Sequence, residues 1–301
     1  MTAIANLSMD VSVETPAETL RDIWQTQGCV IVRHLFDRGR IESLRDLAEG
    51  ILAHWRYCDA QSGRSAHPDT HEMRHLNHPA YFAHQRDRLR DILNMAADVN
   101  VLRVCSALFN EPPLFRCTSF YFNPLKTSED GNWHRDSQFM TRTDEDEKAM
   151  LSSGGTLGLG LQLQVALVPS DDVEYVPGSH LRWDTPEEYA IRKADNCRNW
   201  RSNNMPGAVK AVLQPGDAVL FNPMGFHRGR YHVDKLRRTL MLTYTRRSRP
   251  CFDYFPDQPW FDNPGYLDGL NPEVQEFYRE FIRVYQDHWQ IPWAVRHAKS
   301  K

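Results

Sequence analysis

Several groups of residues in this chain have the types and spacing to hold a metal ion. His71-Glu72-Met73-Arg74-His75 has the spacing of zinc hydrolases, in which two histidines one helical turn apart bind the ion and the glutamate is the base. That chemistry needs a packed helix, whereas Pro68 and Pro79 bracket the segment and Asp69, Thr70, Asn77 and His78 surround it with a loop's composition. His-x-Asp occurs three times, at His67-Pro68-Asp69, His134-Arg135-Asp136 and His232-Val233-Asp234. Residues i and i+2 of a strand share one face about 7 Å apart, so His134 and Asp136, in the strand-like segment Trp133–Phe139, can converge on one ion. His67 precedes proline in a loop, and His232 and Asp234 lie in a polar hairpin turn, where solvated side chains are expected. Two neutral imidazoles and one carboxylate on one face of an ion form the donor set of non-haem iron(II) oxygenases, with the opposite positions open. His227, 91 positions after Asp136 and just past the turn-and-strand run Gln214–Phe221, can supply the second imidazole, although taken singly it reads as an ordinary loop histidine.

A cation is singled out by alternation. In Arg237–Arg247 the even positions are Arg238, Leu240, Leu242 and Tyr244, and the odd ones include Arg237, Thr239, Met241 and Thr243. The two-residue period puts Arg238 on the more apolar, inward face and leaves Arg237 solvated. A guanidinium on an inward face is costly unless paired, so Arg238 implies either a bound carboxylate or an internal salt bridge with Asp or Glu.

The elements that position these residues divide the chain in three. The first part, about 1–110, reads helical. Thr15, Pro16 and Glu18 have the pattern of a capping box, Gly28 stops that helix, and Cys29-Val30-Ile31-Val32 forms a short strand. A second helix carries Ile41, Leu44, Leu47, Ala48, Ile51, Leu52 and Trp55 on one face. From about 114 to 247 the period changes to strands: Phe115–Phe122, Trp133–Phe139, Leu157–Val168, Glu174–Val176, Val209–Leu213, Ala218–Phe221 and Arg237–Thr245. Many strands with long returns predict a mainly β core, a double-stranded β-helix or jelly roll of cupin-like type with flanking helices. Two insertions, acidic Thr141–Gly155 and basic His180–Pro206, are long enough to close over a site. The tail, about 250–301, holds an aromatic run and a helix started by Asn271 and Pro272. In the basic insertion Arg192, Lys193, Arg198 and Arg201 read as a solvated face.

Composition limits the function classes. The 301 residues carry 36 basic and 39 acidic side chains, a net charge of -3, and 41% apolar residues, an ordinary globular balance. Interspersed charges of both signs argue against a nucleic-acid partner and for a small molecule. No run of about 18 apolar residues suggests a membrane span, and Met1–Val11 lacks the regions of a signal peptide, so a cytoplasmic protein is expected. Cys29, Cys58, Cys105, Cys117, Cys197 and Cys251 form no CxxC pair and read as reduced thiols, each a small buried apolar side chain. Oligomeric state is not legible. The candidate ligands lie on both sides of residue 150, so one domain spanning 1–301 is expected.

The ordered set of motifs resembles the phytanoyl-CoA dioxygenase family of iron(II) and 2-oxoglutarate dependent oxygenases. The features are Gln27-Gly28-Cys29-Val30-Ile31-Val32, Trp133-His134-Arg135-Asp136, Val176-Pro177-Gly178-Ser179-His180, Pro215-Gly216-Asp217, His227, and an arginine eleven positions later. The resemblance implies that His134, Asp136 and His227 hold Fe(II) and that Arg238 binds the far carboxylate of 2-oxoglutarate. It also implies that Gln164 and Asn123 help to bind this cosubstrate, and that O2 is the second one. Ser170-Asp171-Asp172-Val173-Glu174 departs from the Asn-Gly pair found before the Pro-Gly-Ser-His segment in many relatives, which affects the alignment of Gln164. The implied reaction converts 2-oxoglutarate to succinate and CO2 while oxidising a C–H bond of a small metabolite. Asp136 favours hydroxylation over halogenation, since related halogenases lack the carboxylate; desaturation, cyclisation and epimerisation stay open. The alternative from another class is a non-catalytic jelly roll that binds a metal or ligand without turnover.

Overall fold

A computed structural model describes residues 9–61, 67–82, 85–152 and 160–290. Residues 1–8, 62–66, 83–84, 153–159 and 291–301, including the expected strand start at Leu157, lie outside them. The elements in chain order are β1 Asp10–Ser12, α1 Ala17–Gln27, β2 Cys29–Arg33, α2 Arg38–Gln61, β3 Glu72–Arg74, α3 Arg86–Ala96, α4 Val99–Phe109 and β4 Pro113–Phe122. There follow β5 Glu129–Asp130, α5 Asp144–Ser152, β6 Leu161–Ala166, β7 Ser170–Tyr175, α6 Pro186–Arg192, α7 Ala194–Cys197, β8 Val209–Leu213, β9 Ala218–Phe221, β10 His227–Tyr231, β11 Arg238–Arg246 and α8 Pro272–Gln290. A seven-stranded sheet in the order β1-β2-β9-β6-β11-β4-β3 faces a four-stranded one in the order β5-β10-β7-β8, the jelly roll that the strand pattern predicts.

The large sheet is buried on both faces. Val30, Val32, Leu163, Val165, Leu220, Leu240 and Leu242 pack into the core shared with the helices. The alternate residues point to the space between the sheets, where Ile31, Val219 and Phe221 form one cluster and Tyr121, Tyr231, Met241 and Phe255 another. Arg86–Phe109 is apolar enough on composition to resemble a membrane span, but it is two helices, broken where the Asp98 side chain caps α4, and mostly buried in this core.

Two local expectations differ. Thr15 does not cap α1; its hydroxyl accepts the Ser12 N–H, and Pro16 takes the cap position without a side-chain bond. The same Thr-Pro-x-Glu pattern does form a complete capping box at Thr185, Pro186 and Glu188. His71–His75 contains strand β3, so its two histidines are not one helical turn apart.

Gly28 ends α1 with a φ of 70°, and a Cβ there would collide with the His180 ring and the Tyr175 hydroxyl. This joins the early glycine to the Pro-Gly-Ser-His segment. Gly28→Ala is expected to cost about 2–5 kcal/mol, from the left-handed backbone and the overpacking together, read as a lowered denaturation midpoint. His180 is fully buried, and that burial pushes it down to about 4. The unfolded ring titrates near 6.5, so its contribution is complete above that pH and is lost as pH falls toward 4, by up to roughly 3 kcal/mol. Half-buried His75, also pushed down to about 4, acts in the same direction. Urea midpoints measured at pH 7.5 and 4.5 would expose this loss, and equal values would contradict it.

Candidate metal centre and cosubstrate pocket

Trp133–Phe139 is not a strand. His134 makes an isolated antiparallel bridge with His227, with N–H to carbonyl distances of 3.2 and 3.0 Å. Arg135 is extended, and Asp136 opens a 3-10 turn, Asp136–Phe139. The bridge sets the rings of His134 and His227 4.2 Å apart, and the turn swings the carboxylate beneath them. Asp136 Oδ1 lies 3.8 Å from His134 Nε2 and 3.6 Å from His227 Nε2. Among the described residues these three form the one His/Cys/Asp/Glu cluster whose donor atoms all lie within 4.8 Å of one another.

The hydrogen bonds fix which atoms face the cluster. His134 Nδ1 lies 2.7 Å from the Asn132 carbonyl and His227 Nδ1 3.0 Å from that of Gly225. Carbonyls only accept, so both Nδ1 atoms carry the proton and both Nε2 lone pairs are free for a metal. Gln162 donates to Asp136 Oδ2 at 3.2 Å, leaving Oδ1 toward the imidazoles. Burial holds His227 well below the ordinary histidine value and raises Asp136, partly offset by His134 and Arg116. A divalent cation would reverse both costs.

The cluster opens into a cavity of about 560 Å³ between the sheets, within the range of small-molecule sites. Here alternation selects the wrong neighbour. Arg238 does not reach the cavity; it donates to Glu49 of α2 at 2.5 Å and to Asn123 Oδ1 at 2.8 Å, so the internal salt bridge is its actual partner. Asn123 is thereby held away from the site. Arg237, only 1% exposed, lines the cavity instead. The more apolar face of β11 meets the helices, whereas Met241 and, just before the strand, Arg237 line the cavity.

Arg237 stands over the rings of Tyr231 and Tyr121, at 4.4 and 5.1 Å, and donates to the Arg230 carbonyl. Gln164 is in the cavity, with Oε1 3.5 Å from Arg237 Nη2. Arg237 Nε is buried without an acceptor, and among the described residues no carboxylate pairs with this guanidinium. Sequence reasoning missed Gln162 as well as Arg237, although Gln162 shares its strand face with Gln164.

Part of the basic insertion departs from its expected solvated state, since Arg192 is buried and Lys193 half-buried, whereas Arg198 and Arg201 are exposed as expected. Arg135, between His134 and Asp136, is fully buried and donates to Ser179 O, Met224 O and Asp184. Asp184 also accepts from Arg192, which reaches Glu147 of the acidic insertion, and Glu147 accepts from Ser137 beside Asp136. Lys193 adds bonds to Asp144 and Glu147. The acidic and basic insertions thus neutralise each other. Cys29, Cys105 and Cys117 are buried as expected, whereas Cys197 and Cys251 are half-buried and Cys58 on α2 is exposed.

A jelly roll that brings two imidazoles and one carboxylate to one point is the arrangement of non-haem iron(II) oxygenases. The chain belongs to the phytanoyl-CoA dioxygenase (PhyH) family, whose model matches residues 24–239. Its architecture is similar to AviO1 from Streptomyces viridochromogenes Tue57, at 16% identity and a TM-score of 0.53, covering 78% of this chain and 97% of that one. It is similar to the epimerase SnoN solved with Fe3+, alpha ketoglutarate and nogalamycin RO, at 21% identity and a TM-score of 0.52, covering 85% and 92%. EctD from S. alaskensis, solved with 2-oxoglutarate and 5-hydroxyectoine, shares 17% identity at a TM-score of 0.53, covering 80% and 82%. No curated protein matches the sequence.

Proposed function

We propose that His134, Asp136 and His227 hold Fe(II), that Arg237 receives the far carboxylate of 2-oxoglutarate with Gln164 beside it, and that the enzyme hydroxylates a C–H bond of a small metabolite. The observation that carries this reading is a fully buried guanidinium, without a carboxylate partner among the described residues, in the same cavity as a two-histidine, one-carboxylate cluster. Iron(II) in such a donor set couples activation of O2 to decarboxylation of 2-oxoglutarate, giving succinate and CO2.

The chain's own residues position and exclude. Carbonyl acceptors hold both imidazoles in one tautomer, Gln162 fixes the carboxylate, and Tyr121 and Tyr231 wall the Arg237 end against water. Ligands contributed by residues 134–136 and 227, with helices from both ends packed on the same sheet, support one oxygenase unit over the whole chain. Unpaired cysteines, three of them buried, support a reducing, cytoplasmic setting.

The two neighbouring arginines provide the test. Truncating one partner of a buried charge pair costs about 2–5 kcal/mol, so Arg237→Ala should raise the 2-oxoglutarate concentration for half-maximal succinate formation at least about 30-fold. Arg238→Ala should leave it within about threefold, since its partner is Glu49. The opposite ranking would return the cosubstrate role to Arg238. Succinate formation without added Fe(II) would overturn the oxygenase reading itself.

A further inference from the structure

At the other end of the cavity two more arginines meet, and the fold turns one of them inward by a local irregularity. Along β4 the pairing with β11 runs Cys117 to Thr243 and then Phe115 to Tyr244, so Arg116 is the extra residue of a β-bulge. Phe115 stays in the helix-side core, whereas Arg116, like Cys117, faces the interior and lines the cavity. Bulges beside active sites commonly re-aim a side chain in this way. Arg74 of β3 comes in from the next strand, and the two guanidinium carbons each lie 4.7 Å from the Phe255 ring centre. Tyr254 stacks on Phe255 with ring centres 4.4 Å apart, so the wall between the arginines is a flat aromatic surface.

Each arginine has a carboxylate partner, Glu72 for Arg74 and Asp253 for Arg116, with side chains 40% and 31% exposed. The guanidinium groups lie deeper, with side chains 25% and 8% exposed. Inside, Arg74 Nη1 and Arg116 Nε are buried without acceptors. Arg237 stands well apart from Arg116. It precedes β11, about 20 Å along the strand from the bulge, whereas Gln162, which holds Asp136, pairs with Thr243 beside the bulge. Arg116 is also within electrostatic reach of the Asp136 carboxylate.

We infer, building on the oxygenase reading above, that Arg74 and Arg116 form a second carboxylate-binding end, and that the substrate is a small carboxylic acid with a flat apolar body. One carboxylate has two acceptor oxygens, enough for the unpartnered N–H of each guanidinium. The body lies along Phe255, and Met140 and Phe139 line the same cavity. A free acid fits where its amide does not, because the amide replaces one acceptor oxygen with a donor facing two donors.

The experiment uses arylacetic and arylpropionic acids, each beside its primary amide, titrated calorimetrically into the full-length protein without metal and again with Fe(II) and 2-oxoglutarate under anaerobic conditions. At least one acid is expected to bind about tenfold or more tightly than its amide. Arg116→Gln and Arg74→Gln should each reduce that preference about tenfold or more. Both variants are expected to retain the wild-type affinity for 2-oxoglutarate, read from the charge-transfer absorption of its iron complex. If no acid exceeds its amide, or if the variants weaken 2-oxoglutarate instead, the inference falls. Failure of wild-type protein to bind 2-oxoglutarate would sink the oxygenase reading alone, since the acid preference is measured without metal as well. Arg116→Gln combined with Asp253→Asn removes the unpaired carboxylate should the single variant fail to fold.

Discussion

Asp136→Ala is expected to abolish iron-dependent succinate formation and to remove tight Fe(II) binding. The variant leaves two neutral imidazoles, with no anionic donor to offset the charge of a divalent ion. Loss of a residue that only orients a ligand costs about 10–100-fold in metal affinity, so loss of the ligand itself should exceed that. Gln162→Leu supplies the calibration within this protein. It frees Asp136 Oδ2 without touching a donor atom, and its effect should fall in the range of about 10–100-fold. Because burial raises the Asp136 carboxyl and the metal-free fold bears that cost, metal-free Asp136→Ala should unfold no earlier than wild type. Anaerobic equilibrium dialysis with Fe(II), beside thermal unfolding of the metal-free proteins, separates lost coordination from lost structure. His71→Ala should bind Fe(II) as wild type does, since β3 is a strand and the His71–His75 spacing forms no metal site. Retained iron binding in Asp136→Ala would refute the assigned donor set.

Glu147→Ala is expected to be among the most destabilising substitutions in the chain, although the sequence places it in an acidic insertion. Glu147, Asp184, Arg135 and Arg192 have fully buried side chains, and Glu147 accepts from Arg192, Lys193 and Ser137 at 2.7–3.1 Å. Removing one partner of a buried ionic group leaves an uncompensated charge and costs about 3–5 kcal/mol. Replacing a whole buried pair with apolar groups is often neutral, so Glu147→Ala with Arg192→Met should recover part of the loss. Ser137 follows Asp136 directly, so the single variant should also release Fe(II) faster. Denaturation midpoints of the single and double variants test the first claim, and iron release into a chelator the second. A loss below about 1 kcal/mol in Glu147→Ala would mean that the insertions do not clamp the metal loop.

The amino-acid sequence alone determined the kinds and order of the donors. His134, Asp136 and His227 stand out because imidazole and carboxylate in that number suit one metal, and the strand period placed them in a jelly roll, which Gly28 and the Pro-Gly-Ser-His segment supported through the family resemblance. Tertiary structure decided what periodicity is blind to. Alternation divides β11 correctly into two faces, but the large sheet is covered on both, so greater apolarity marks the side under the helices and the polar face holds Arg237. The convergence of His134 and Asp136 comes from one bridge and a 3-10 turn, set by a partner 93 residues away at His227. Thr15 and Thr185 begin the same four-residue pattern, yet only Thr185 caps, whereas the Thr15 hydroxyl turns back to the Ser12 N–H. The opposite charges of the two insertions are visible in the chain, but their burial is not, because it depends on folding both segments onto Arg135. Side-chain type is written locally; which face looks inward, and which charges lose their water, follow from what packs against them.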